Sequence, residues 1–249
     1  MSGHSKWSQI KRQKGANDVR RGALFTKMGR EIAIAARAGG PDPDGNFRLR
    51  LAIEKARSVN MPADTIKRAI ERATGGGEAD QFEEIVYEGY GPGGVAILVE
   101  AQTDNRNRTA AEVRSVFAKA GGQLAGAGAV AWQFEPRGVI TVPRTAGDAD
   151  EIALLAIDAG AEDVDTDADP MEIFTAAADL ERVRRALEAA GVAIESAESA
   201  MIARQTVELD PARARQALRL IEALEDLDDV QRVTANFEIP EEVFAEVAG

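Results

Sequence analysis

The 249-residue chain has no cysteine, which removes disulfides, thiolate nucleophiles and zinc–cysteine centres and fits a reducing compartment. It has one histidine, His4, so no site built on two imidazoles is available. Long hydrophobic runs are also missing. The longest uncharged stretch, residues 120–134, has 15 residues rich in glycine, short of the roughly 20 apolar residues a membrane-spanning helix needs. The basic beginning is not followed by the apolar core of a secretory signal. The expectation is a protein of the cytoplasm with no membrane partner. Hydrophobic residues make up 45% of the chain, enough for packed cores and too many for wholesale disorder.

What the chain does have is charge, unevenly placed. The formal net charge is −12. Residues 1–74 nevertheless hold 16 Lys and Arg against 7 Asp and Glu, a net of +9. Residues 75–249 hold 14 against 35, a net of −21. A basic module on an acidic body points to an anionic partner, nucleic acid above all. The opening GHSKWSQIKRQKGANDVRRG concentrates this, with six basic residues and Asp18 as its sole acid. Lys6, Lys11, Arg12, Lys14, Arg20 and Arg21 suit phosphates. Trp7 either stacks on a base or anchors the segment as a core residue. His4 lacks the companions of a catalytic or metal site.

Helical spacing then appears. Phe25, Met28, Ile32, Ala35 and Ala36 form one apolar stripe, with Arg20, Lys27, Arg30 and Arg37 expected on the opposite, solvent-facing side. GGPDPDGN, residues 39–46, reads as a loop. A second helix carries Leu49, Ala52, Ile53 and Ala56 on one face. Pro62 opens a third, with Ile66, Ala69, Ile70 and Ala73 inward and GGG at its end. The pattern then changes to strands at 84–90 and 95–101, a helix at 107–120 and a strand at 129–134. Residues 138–196 read strand, helix, strand, strand, helix, strand, the βαββαβ order of a ferredoxin-like sandwich. A strand at 205–209, a helix at 211–227 and a strand at 230–237 complete the half-sandwich begun at 84. The expected architecture is α+β in three domains. Residues 1–78 form a basic all-helical domain, 79–135 plus 204–249 an α/β domain, and 136–203 a second α/β domain inserted in it.

Few motifs suggest chemistry. GYGPGG, residues 89–94, lacks both the P-loop and dinucleotide patterns and reads as a tight hairpin turn. In TDNRNRT, residues 103–109, Asn107 or Thr109 is placed to cap the following helix, with Arg106 and Arg108 projecting beside it. DVDTDAD, residues 163–169, resembles a calcium loop, but Ala168 and Phe174 stand where glycine and glutamate are required. No catalytic set, metal site, cofactor or small-molecule substrate is called for. The reading is a non-enzyme.

SGHSKW, RRGALFTK, IEKARSVNMPADTIKRAI, YEGYGPGG and TDNRNRTAAEVRSVF together resemble the YebC family, in the right order and over nearly the whole chain. The resemblance implies a helical domain plus two α/β domains, one inserted in the other, and a cytoplasmic DNA-binding transcriptional regulator. Some members are linked instead to the ribosome, and mitochondrial relatives are translational activators of cytochrome c oxidase. Two departures stand out. Ala23 occupies a position that is often lysine, and LAGAGAVAW, residues 124–132, lacks the polar and acidic residues usual there. The expected interface comprises Lys6, Trp7, Lys11, Arg12, Lys14, Arg20, Arg21, Lys27 and Arg30, with Arg106, Asn107 and Arg108 as a second contact. Its partner is DNA or, alternatively, ribosomal RNA.

Overall fold

The computed structural model describes residues 18–75 and 82–248. Lys6, Trp7, Lys11, Arg12 and Lys14 lie outside the described residues, and only the helical backbone of Arg20 and Arg21 is described. The chain is α+β, with an N-terminal helical region and two sheet-containing domains. It gathers into two compact units. One holds Leu209–Ala235 with the described residues up to Ala131, and the other holds Trp132–Glu208 with the residues from Asn236 onward.

In the first unit, helices α1 (Asp18–Gly39), α2 (Phe47–Ser58) and α3 (Ala63–Thr74) pack around one core. Met28, Ile32, Ala35 and Ala36 of α1 meet Leu49, Ala52, Ile53 and Ala56 of α2 and Ile66 of α3, with Phe25 half-buried at the edge. This is the stripe that the 3.6-residue period specifies. A side chain within the expected loop holds it together. Asn46 is 6% exposed and caps α2 by accepting from the Leu49 N–H. Its amide donates at 2.8 Å to the carbonyls of both Ala35 and Gly40. One side chain thus ties the start of α2 to the end of α1.

The sheet of this unit runs β3-β1-β2-β9, from Gln123–Leu124, Glu83–Tyr90, Ala96–Thr103 and Val230–Ala235. Its pairs are antiparallel. Strand β2 is the most deeply buried, and α4 (Arg106–Lys119) and α7 (Pro211–Glu225) supply Val113, Phe117, Leu220 and Leu224 to the core. GYGPGG forms the expected turn between β1 and β2. Gly93 sits there at φ 78°, a left-handed conformation that glycine adopts without strain.

Two strand expectations are corrected. Residues 129–133 are not a strand: a 3-10 turn occupies Ala131–Gln133, and the third strand of this sheet is the short β3. The cause is Glu88, a buried β1 residue whose carboxylate accepts from the N–H groups of Gly128, Val130 and Ala131 at 2.6–2.8 Å. With those donors taken, no ladder forms there. Burial alone would raise the Glu88 carboxyl, but the three backbone donors hold it below its usual range. The strand expected at 205–209 likewise does not join the first sheet. Val207–Glu208 (β8) pairs in parallel with Phe237–Glu238 (β10) in the other unit.

That second unit contains the βαββαβ run: β4 (Phe134–Val142), α5 (Ala149–Ala159), β5 (Asp163–Asp165), β6 (Met171–Ala176), α6 (Leu180–Ala189) and β7 (Ser196–Ala203). Its sheet order, β5-β6-β4-β7 with antiparallel pairing throughout, is that of a ferredoxin-like sandwich. Ile140 and Ile173 on the two central strands are fully buried, as are Leu180 and Leu187 on α6. The C-terminal helix α8 (Glu241–Ala248) completes this unit.

Asn46 supplies the first test. Asn46→Ala should lower the unfolding free energy by about 1–3 kcal/mol, the cost of losing a cap and leaving two carbonyls unpaired. Asn46→Asp retains the cap oxygen but faces the same carbonyls with an acceptor, so denaturant titration should show a loss at least as large.

Candidate nucleic-acid interface

The first turn of α4, just after the short loop from β2, carries three of the expected contact residues. Its cap is neither Asn107 nor Thr109 but Asn105, whose side chain accepts from the Arg108 N–H at 3.1 Å. The cap lies two residues before Asn107 and four before Thr109, and Thr109 is committed elsewhere. It is fully buried, and its hydroxyl donates to Asp229 Oδ2 at 2.7 Å. Asn107 is left exposed. Tyr87 steadies the loop from β1 by donating to the Arg106 carbonyl, and the Arg106 side chain extends outward, pairing with Glu83 at 3.6 Å.

Asp229, in the turn between α7 and β9, organises what surrounds this loop. It is 2% exposed. Arg108 Nη2 reaches its Oδ2 at 2.7 Å while also holding Asp104 at 2.8 Å. The Thr103 hydroxyl adds a third donor at 3.1 Å, and Arg30 Nη1 approaches the other oxygen at 3.0 Å. Burial alone would raise this carboxyl. The hydrogen bonds from Arg108, Thr109 and Thr103, with the Arg30 charge beyond, hold it below the ordinary carboxylate value. The register of β2 on β9 shifts between Glu100 and Ala101, and the Gln102 N–H then donates to the Asp229 carbonyl. The sheet itself thus sets the turn.

The Arg30 contact corrects the picture of α1. Lys27, Arg30 and Arg37 were expected to face solvent together. Instead Lys27 Nζ donates to the carbonyl of Glu225, the last residue of α7, and Arg30 donates at 2.6 Å to the carbonyl of Asp228. Open carbonyls at a helix C-terminus attract cations. The sequence held one signal of this. Ile34 lies in the same helical row as Lys27, Arg30 and Arg37 and is only 8% exposed, so the row could not be wholly solvated. Arg37, in the last turn, remains exposed.

The structure thus brings Arg30 and Arg108, 78 positions apart, onto one carboxylate. It places Arg106 and Asn107 at the surface beside them. Two neutralised arginines serve as struts, while the outward pair keeps a cation and an amide that suit a phosphate oxygen. Elsewhere, DVDTDAD closes on itself: Asp165 Oδ1 accepts from the N–H groups of Asp167 and Ala168. Among the described residues no cluster of acidic or histidine side chains could hold a metal.

Asp229 and Glu88 both titrate below their usual values, so each stabilises the fold above about pH 4, and that stability is lost as pH falls through the folded-state value. Asp229→Asn leaves two arginines facing a neutral group. It should cost on the order of 2–4 kcal/mol at neutral pH. Denaturant midpoints measured from pH 7 to 3 should also fall less steeply for Asp229→Asn than for the parent.

Known proteins match this arrangement along its length. Residues 5–76 match the model described as the TACO1/YebC protein N-terminal domain, and residues 82–237 match the TACO1/YebC second and third domain. A protein of Rubrobacter xylanophilus, named "Probable transcriptional regulatory protein", is 55% identical over 250 residues, covering 100% of each chain. One of the same name from Moorella thermoacetica is 58% identical over 243 residues, 96% of each chain. Among solved structures, the conserved hypothetical protein Aq1575 from Aquifex aeolicus superimposes with a TM-score of 0.85 at 49% identity, covering 91% of this chain and 93% of its own. Models that meet the helical region and the sheets in turn, with relatives matching from end to end, make this chain a member of the TACO1/YebC family.

Proposed function

We propose that the protein is a non-enzymatic regulator of gene expression that acts in the cytoplasm by binding nucleic acid through its basic N-terminal region. The carrying observation is the division of charge, +9 over residues 1–74 against −21 over the remainder. Such a field draws a polyanion to one end and repels it from the other. The names of the relatives from Rubrobacter and Moorella support a regulatory role. In this reading Lys6, Lys11, Arg12, Lys14, Arg20 and Arg21 contact phosphates, and Trp7 stacks or anchors. Arg106 and Asn107 add the second contact. Lys27, Arg30 and Arg108 hold the basic region and the loop in place. No helix among the described residues is long and apolar enough to cross a membrane.

One observation keeps ribosomal RNA as a second reading beside duplex DNA. Helices α1, α2 and α3 contain no Asn or Gln, the side chains that read adenine edges in a major groove. Recognition of backbone and shape suits folded RNA as well as duplex DNA.

Six phosphate contacts predict that log K falls against log salt with a slope of about −5 on duplex DNA and about −4 on single strands. Replacing Lys6, Lys11, Arg12 and Lys14 together by Ala in the full chain should remove more than half of that slope. An affinity that barely responds to salt overturns the reading. Ribosome cosedimentation and promoter-DNA gel shift on one preparation separate the two targets.

A further inference from the structure

The helical region contains a cavity of about 520 Å³ between α1 and α3, within the size range of small-ligand sites. Its polar lining is one-sided. Arg30, Arg37, Arg68 and Arg72 contribute four guanidinium groups; Arg30 is committed to Asp229, and the one acid in the lining, Asp104, already pairs with Arg108. The floor consists of small or apolar side chains, with Ala33 and Ala69 opening the space and the half-buried Phe25 giving it an aromatic wall. Phe82 closes one end, its ring 5.0 Å from the Arg30 guanidinium carbon. The buried Nε of Arg30 has no hydrogen-bond partner, an unmet donor in a wall of donors. Among the described residues, Arg68 bonds only within its own helix, to the Asp64 carbonyl and the Thr65 hydroxyl, and Arg72 makes no ion pair. The cavity therefore combines an apolar, partly aromatic surface with a surplus of forked cations at its rim.

We propose that this groove holds a single nucleotide, with its base against Phe25 and the apolar floor and its phosphate between Arg68, Arg72 and Arg37. An unpaired nucleotide offers a flat π-face beside a dianionic or monoanionic phosphate, matching both halves of the lining. A base within a duplex presents neither its face nor room to enter, so the groove selects single-stranded or looped segments. The inference rests on the nucleic-acid reading above and names the substrate class within it. It gives the protein a way to favour unpaired nucleotides that non-specific phosphate contacts lack.

Three full-length variants test it. Arg68→Ala with Arg72→Ala removes two rim charges. Thr26→Trp plugs the exposed mouth without changing charge. Arg114→Ala with Lys119→Ala removes two exposed cations of α4 as a control. All change solvent-facing positions, and circular dichroism confirms folding. Anisotropy with a labelled eight-nucleotide single-stranded RNA should show about a tenfold or greater loss for the first two variants and little change for the control. The rim variant should also lose about 1.4 from the salt slope, two contacts at about 0.7 each on a single strand. Adenosine monophosphate, followed by NMR shifts of α1 and α3 amides, should bind the parent at the groove and not the Thr26→Trp protein.

If both groove variants bind the RNA like the parent and the mononucleotide moves no groove resonance, the inference falls while the regulatory reading stands. If the parent binds no oligonucleotide or duplex but the mononucleotide shifts the groove resonances, the groove stands as a free-nucleotide site and the regulatory reading falls. Equal loss in the control variant overturns the groove in favour of bulk electrostatics.

Discussion

The arrangement of the basic region depends on one buried carboxylate. Asp229 receives Arg108, Thr109 and Thr103 on one oxygen and Arg30 on the other. A single buried acid with only one cation would be costly. Two cations and two hydroxyls convert the cost into a fixed junction of α1, the β2–α4 loop and the α7–β9 turn. Remove the charge and three segments lose their common reference. This is also why the start of α4 is held in place with Arg106 and Asn107 outermost.

The junction separates two uses of positive charge. Lys27 and Arg30 close the end of α7 and the following turn, and Arg108 braces its own loop. They fix the surface. The cations that remain outward, including Arg68 and Arg72 at the groove rim, are the ones able to meet a phosphate. Net charge alone cannot make this distinction, since it counts a strut and a contact alike.

How much could be read from the chain follows the same line between local and remote forces. Apolar periodicity identified the faces of α1, α2 and α3 because Met28, Ile32, Leu49 and Ala52 all obey a rule that operates within one turn of helix. Alternating elements over residues 138–196 were enough for the βαββαβ order, and GYGPGG for its turn. The misreadings involve partners far away in sequence. Residues 129–133 have the composition of a strand, but Glu88, about 40 positions earlier, takes the N–H groups of Gly128, Val130 and Ala131. Asn46 looked like loop punctuation, although its amide bridges two helices. Asp229 sits in EDLDD, between the expected helix at 211–227 and the strand from 230, where nothing in the sequence marks it out. Its role emerges only when α1 and the β2–α4 loop close over it. For the groove, the charge of Arg68 and Arg72 was visible, but not the cavity they border.

The bond between Arg30 and Asp229 spans 199 positions. At a synthesis rate of roughly 5–20 residues per second, about 10–40 s separate the appearance of the two partners. Throughout that interval the positively charged leading segment has left the ribosome with Arg30 lacking its acid, next to the most abundant polyanion in the cell. The α1 junction therefore cannot form until the last part of the chain has been made, and the nascent protein passes through a stage in which its strut residues are as exposed to RNA as its contact residues.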